Sequence, residues 1–283
     1  MLEASPQTNY PSRLGVIVVL FLITGPLYVV AGFLGNFVIG KWPVLIGELI
    51  LPLPAYLYLR LYRYHVRQVF RLNPVSGRIV GLSVVLGMAL HVIVYEIDHL
   101  LNSVWNVIWP FPEHLESQLE KLLAAQHWLD WVIVLLASVV VAGVFEEMLF
   151  RGFVQNTFEQ YHDAPIAIAI TAAIFAATHG LLWWFVQIFL LGAVLGWMAW
   201  RSESIIPGAI VHGMHNLFAV LLTNFKAAPP WLYWQQVKPV LGEGHVQPVF
   251  LLAAGVVIYF GLRLFNRFCE EEKVIPTLLN TPL

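Results

Sequence analysis

Long uninterrupted apolar runs, separated by short polar breaks, follow one another along the whole chain. The runs are about 20 residues long, the length a helix needs to cross a hydrocarbon core about 30 Å thick. They are continuous rather than alternating, which disfavours a membrane β-barrel. The pattern predicts an all-α polytopic membrane protein with about eight transmembrane helices, at Leu14–Ile39, Val44–Leu59, Ile79–Ile97, Trp128–Phe150, Ile166–Leu182, Trp184–Trp200, Ile205–Thr223 and Val249–Phe265. The fourth is expected to continue as helix past Arg151, because nothing breaks it before the turn "YHDAP". Between the third and fourth, "EHLESQLEKLLAAQHW" carries Leu115, Leu119, Leu122 and Leu123 at helical spacing and predicts an amphipathic helix on the outer surface.

Composition agrees: of 283 residues, 59% are hydrophobic and 11% charged, against about 25% charged in soluble domains. With no internal repeat or low-complexity segment, residues 1–283 read as a single membrane domain with a core motif region at 128–223. The first run is too long for a signal peptide and is expected to be retained as a span. A single cysteine, Cys269, excludes an internal disulfide, and a net charge of −2 disfavours nucleic acid as a partner. Basic residues set the expected orientation. With the N-terminus cytoplasmic, Arg13, Arg60, Arg63, Arg67, Arg71 and Arg78 fall inside, as do Arg151, Arg201, Arg263, Arg267 and Lys273; only Lys41, Lys121, Lys226 and Lys238 fall outside. Both termini are then cytoplasmic. Trp42, Trp105, Trp109, Trp128, Trp183 and Trp231 fall at outer ends, where an amphipathic ring prefers the interface.

Ionisable groups within spans cost several kcal/mol and mark function by default. Glu48 lies a few residues inside the outer end of span two, where it can reach water or bond a neighbouring helix. His91 stands alone in span three and reads as a packing histidine, while Glu96, Asp98 and His99 at that span's outer end read as solvated. Glu146 and Glu147 are different. Adjacent helical residues point about 100° apart, so the two carboxylates face different ways. Glu147 and Arg151 are i,i+4 in the favoured ion-pair order, which leaves Glu146 without a local partner. A buried carboxylate lacking a countercharge suits a general base near neutral pH.

Spans four and five form a hairpin with its tip near His162, 16 residues after Glu146 and 17 before His179, so those two lie at similar height. Glu146 then sits about 8 Å inside an inner boundary near Arg151, and His212 about 10 Å beyond the inner start of span seven. In "HGMHN", His212 and Asn216 share a face, and His215 can look toward the same level. The chain has no HExxH, GxSxG or Gly-rich phosphate loop. What converges offers a base, imidazoles and an amide donor, a set able to activate water against a peptide carbonyl and hold the oxyanion. Two versions stay open. In one, Glu146, His179 and His212 ligate Zn²⁺; in the other, Glu146 and His179 activate water without a metal.

"EEMLFR" (Glu146, Glu147, Arg151), "FAATH" (Phe175, His179) and "HGMHN" (His212, Asn216) resemble the three motifs EExxxR, FxxxH and HxxxN of the CAAX prenyl endopeptidase and bacteriocin-processing (CPBP) family of intramembrane proteases. The resemblance spans roughly Trp128 to Thr223, on expected helices four, five and seven. It implies Glu146 and His179 as the water-activating pair and His212 and Asn216 as the oxyanion support. Glu147 and Arg151 would be structural support, with Phe175 packed beside the site; His215 receives no role. It further implies a peptidase acting on a membrane-associated peptide or lipidated protein from a cavity open to the cytoplasm, with zinc among the candidate cofactors. A bacterial plasma membrane is the expected setting. Two other readings compete: a non-catalytic immunity or scaffold protein of the same family, and a transporter using these groups as a proton relay.

Overall fold

Backbone polar groups in a hydrocarbon layer have no water to bond, so the apolar runs close their hydrogen bonds internally as helices. The computed structural model describes residues 10–35, 40–180, 182–225, 233–234 and 245–279. Seven helices are long and apolar enough to cross a membrane: α1 (Arg13–Val30), α2 (Trp42–Leu61), α3 (Gly77–Ile108), α5 (Trp128–Phe158), α7 (Leu182–Ser202), α8 (Ile206–Phe225) and α9 (Pro248–Glu272). Two more complete the order, α4 (Glu113–Leu123) and α6 (Ala164–Thr178). The all-α membrane architecture is therefore present. A two-residue antiparallel ladder, Tyr233–Trp234 with His245–Val246, joins the ends of the α8–α9 connection. The tail of the first expected span at 36–39, and Lys226, Trp231 and Lys238, lie outside the described residues, as does the side chain of Leu119.

The fifth expected span differs from its reading. Helix α6 has 15 residues, begins with Pro165 in its first turn and stops at Thr178. Gly180 follows with φ +71°, the left-handed conformation that ends helices. At 1.5 Å per residue α6 is about 22 Å long, short of a hydrocarbon core about 30 Å thick. Helix α3 differs in the other direction, running to Ile108 rather than Ile97. Glu96, just before the extension, and Asp98 and His99 within it are half-buried rather than solvated. Glu96 accepts from His245 Nδ1 (2.8 Å) and from the Val246 N–H (2.9 Å). Asp98 accepts from Gln187 Nε2 (2.6 Å) and Asn102 Nδ2 (3.0 Å). Packing of α7 and the α8–α9 connection over this end withdraws the three from water.

Three helices depart from regular winding: α1 widens to π winding at Val18–Thr24, and α2 and α5 depart beside the polar residues. In α2, Pro52 has no N–H to return to Glu48 O, and the Leu51 N–H bonds that carbonyl instead (3.3 Å). Helix α5 widens to π winding at Leu135–Val141 and again at Met148–Gln155; such bulges concentrate at functional sites. The buried core has three parts. One, around Leu59, Phe70, Leu149, Phe153 and Phe175, ties α1 and α2 to α5 and α6. A second, around Ile79, Leu86, Leu195, Met198, Val211 and Phe265, joins α3, α7, α8 and α9. A third packs Leu45 of α2 on Ile133, Ala137 and Val141 of α5.

Helices α5 and α8 cross in backbone contact. A Cβ on Gly213 would lie 2.7 Å from Val139 O, and one on Gly143 would lie 3.0 Å from Ala209 O. In lipid, where hydrophobicity does not drive helices together, such small-residue contacts hold them. Gly213→Ala is expected to lower stability by about 1–3 kcal/mol through overpacking, read as a fall in melting temperature in detergent. Gly255→Ala, where an added Cβ meets nothing within 4 Å, is expected to leave it unchanged.

Candidate active site

The α5–α8 crossing sets Glu146 and Glu147 of α5 beside His212 of α8. Glu147 and Arg151 are both wholly buried, with Arg151 Nη1 2.8 Å from Glu147 Oε1. Arg151 also donates from Nη2 to Gly192 O of α7 (3.2 Å), and its guanidinium lies 4.2 Å over the Phe175 ring of α6. One side chain thus holds two helices, α6 and α7, to α5. Glu147 Oε1 also lies 3.3 Å from His212 Nδ1. Its other oxygen fits only because residue 208 is glycine: a Cβ there would sit 2.7 Å from Glu147 Oε2. The sequence reading missed Gly208, although it stands one helical turn before His212 on the same face.

Two hydrogen bonds decide which ring nitrogens carry protons. A carbonyl only accepts, so the 2.8 Å contact between His179 Nδ1 and Phe175 O places a hydrogen on Nδ1 and leaves Nε2 as the basic nitrogen of the neutral ring. An ionised Glu147 likewise accepts from His212 Nδ1–H, so His212 turns Nε2 toward Glu146. That nitrogen lies 3.9 Å from Glu146 Oε2. Glu146 Oε2 is buried and has no hydrogen-bond partner.

Phe175 is the hinge of the arrangement, with His179 4.8 Å from its ring on one side and His212 at 5.8 Å on another, both edge-on. Glu146, Glu147, Arg151, Phe175 and His212 therefore meet directly, and His179, exposed at the C-terminus of α6, joins them through Phe175. Asn216 is on the same helix as His212, and its Nδ2 donates to Ser138 O (2.8 Å) within the first π stretch of α5. His215 turns instead toward α3, its Nδ1 lying 3.3 Å from His91 Nδ1. His91 thus has a tertiary partner as well as a stacking one in Phe218 (4.8 Å). Among the described residues no three His, Cys, Asp or Glu side chains are placed to hold one metal ion. As arranged, Glu146, His179 and His212 are not assembled as a ligand set.

Sequence reasoning undervalued Glu48. It hydrogen-bonds with Tyr28 of α1 and interacts electrostatically with Glu146. Depth had been measured from the span ends, which placed Glu48 near the outer surface. In the fold, Leu45 packs level with Ala137 and Val141, so Glu48, one turn further along α2, reaches the level of Glu146.

A family model described as type II CAAX prenyl endopeptidase Rce1-like matches residues 128–218, the stretch that carries all three motifs. The UPF0177 protein YxdF of Lactococcus lactis subsp. lactis (strain IL1403) is 29% identical over 96 residues, covering 32% of this chain and 52% of that protein. The chain thus spans about half the length of the curated relative it matches. No solved structure matches.

Removing one partner of a buried ion pair strands the other charge at a cost of about 3–5 kcal/mol. Arg151→Ala is therefore expected to reduce folded yield and melting temperature sharply. The double variant Glu147→Gln/Arg151→Met, which leaves no buried charge at the pair, is expected to recover much of the loss in the same measurement.

Proposed function

We propose that this protein, whose residues 128–218 match the type II CAAX prenyl endopeptidase Rce1-like model, is an intramembrane endopeptidase whose attacking water is activated by Glu146. The observation that carries the reading is the division of labour between the two adjacent glutamates. Arg151 is committed to Glu147 at 2.8 Å, and Glu146 Oε2 is left buried and unpartnered, facing His212 Nε2.

In this mechanism Glu146 takes a proton from water as the water oxygen attacks the scissile carbonyl. His179 offers its basic Nε2 to the same proton traffic. The second N–H of the Asn216 amide is a candidate donor to the oxyanion, and His212, held by Glu147 through Nδ1, becomes a second donor once its Nε2 has taken up a proton. Glu147, Arg151 and Phe175 position these groups. The metal-free version is favoured because the three expected zinc ligands are not gathered around one point. The substrate is proposed to be a peptide segment of a membrane-associated or lipidated protein. The skew of arginine toward one side supports cytoplasmic termini and a site reached from the cytoplasm, and a bacterial plasma membrane is the proposed setting.

Profiling new protein N- and C-termini in cells carrying wild-type or Glu146→Ala protein at matched levels tests the reading. Termini that vanish with the substitution support an endopeptidase and identify its substrates; identical profiles from well-folded protein would move the assignment to an immunity or scaffold role. Loss of the general base is expected to slow turnover by about 10²–10⁴-fold, with melting temperature retained. Turnover is expected to survive a strong chelator; loss that zinc restores would bring back the metal-dependent version.

A further inference from the structure

Glu48 is an ionisable side chain at the level of the site that the mechanism above does not use. Three observations place it there. It lies three residues after Leu45, which packs on Ile133, Ala137 and Val141, so its face of α2 is turned to α5. The Tyr28 ring lies against Gly47, with its hydroxyl about 4.0 Å from where a Cβ on that residue would be. That hydroxyl bonds the Glu48 carboxyl. Finally, Glu48, Tyr28 and Glu146 interact electrostatically with one another.

A carboxyl that merely reached the membrane surface would have both oxygens in water. A packing carboxyl would have both bonded. Glu48 does neither: one oxygen is served by Tyr28, and Oε2 is buried with no partner. Glu146 Oε2 is in the same condition. Buried acceptors without donors in a folded protein call for an explanation, of which an ordered water is the commonest. Two such acceptors on facing helices match the two O–H groups of a single water. Arg151, paired with Glu147 and donating to Gly192 O, makes no hydrogen bond to either oxygen.

We propose that Glu48 is a further catalytic residue, its Oε2 accepting one O–H of the attacking water while Glu146 Oε2 accepts the other. The assignment rests on the endopeptidase reading. With both O–H groups held, the water presents a lone pair in a fixed direction to the carbonyl carbon. As the C–O bond forms, one proton passes to Glu146. The C–N bond then breaks and that proton goes to the leaving nitrogen, while the second O–H, still bonded to Glu48, remains on the new carboxyl group. Tyr28 acts through Glu48 and is a positioning residue.

The test uses the full chain in proteoliposomes and a synthetic peptide spanning a bond whose cleavage in cells depends on Glu146. Glu48→Leu is expected to lower kcat by about 10²-fold or more at unchanged KM, since it removes an acceptor from the reacting water. Its melting temperature is expected to equal or exceed that of the wild type, because an unsatisfied buried carboxyl is replaced by an apolar group. Glu48→Gln, which keeps a neutral acceptor, is expected to lose about tenfold, and Tyr28→Phe a similar amount through the lost hydrogen bond. Unchanged kcat in Glu48→Leu would overturn the proposal and leave the endopeptidase standing. A joint fall of kcat and melting temperature would make Glu48 structural, and a rise in KM alone would make it a substrate contact; either overturns it. If wild-type and Glu146→Ala cells show the same termini, the endopeptidase reading fails and this proposal with it.

Discussion

The buried contact between Glu147 and Arg151 is the constraint around which the centre is organised. A lone charge at this depth would be strongly destabilising. The i,i+4 spacing on one helix lets each charge answer the other before any tertiary structure forms. Once made, the pair directs the rest. The guanidinium reaches Gly192 on α7 and covers Phe175 on α6, and the carboxylate orients His212 on α8. Three helices are thereby registered on one turn of α5. Glu146, next in sequence and about 100° away, is excluded from that bargain and stays available.

The elements that position these groups are unusual in ways that follow from the same need. Backbone contact at Gly143 and Gly213 brings α5 and α8 closer than side chains would allow. The π winding at Leu135–Val141 supplies Ser138 O to Asn216, and the one at Met148–Gln155 contains Arg151. Each departure from ideal helix is local and is bonded elsewhere, as burial in lipid demands.

Most of the architecture was legible in the sequence because a bilayer leaves few choices for an apolar run of about 20 residues. The Glu147–Arg151 pair was legible for an equally simple reason, being encoded by spacing within one helix. What was not legible depended on registration between helices. Gly180 ends α6 early, which hydropathy alone does not signal. Gln187, His245 and Val246 withdraw Glu96 and Asp98 from water, and those partners lie far away in the chain. Glu48 was misjudged because α2 and α5 are offset along their axes, and span ends are a poor ruler when helices do not start level. His91 and His215 likewise meet only through the packing of α3 on α8.

The shortness of α6 has a consequence for the surrounding lipid. A helix about 22 Å long stands beside neighbours long enough to cross fully, so α6 leaves part of the hydrocarbon thickness uncovered beyond its Thr178 end. Acyl chains there must shorten, or water and headgroups must descend, at a modest energy per ångström. His179 is exposed at that end. Thinning of the layer there would bring polar surroundings to a ring that touches Phe175, from the side of the molecule, along the plane of the membrane.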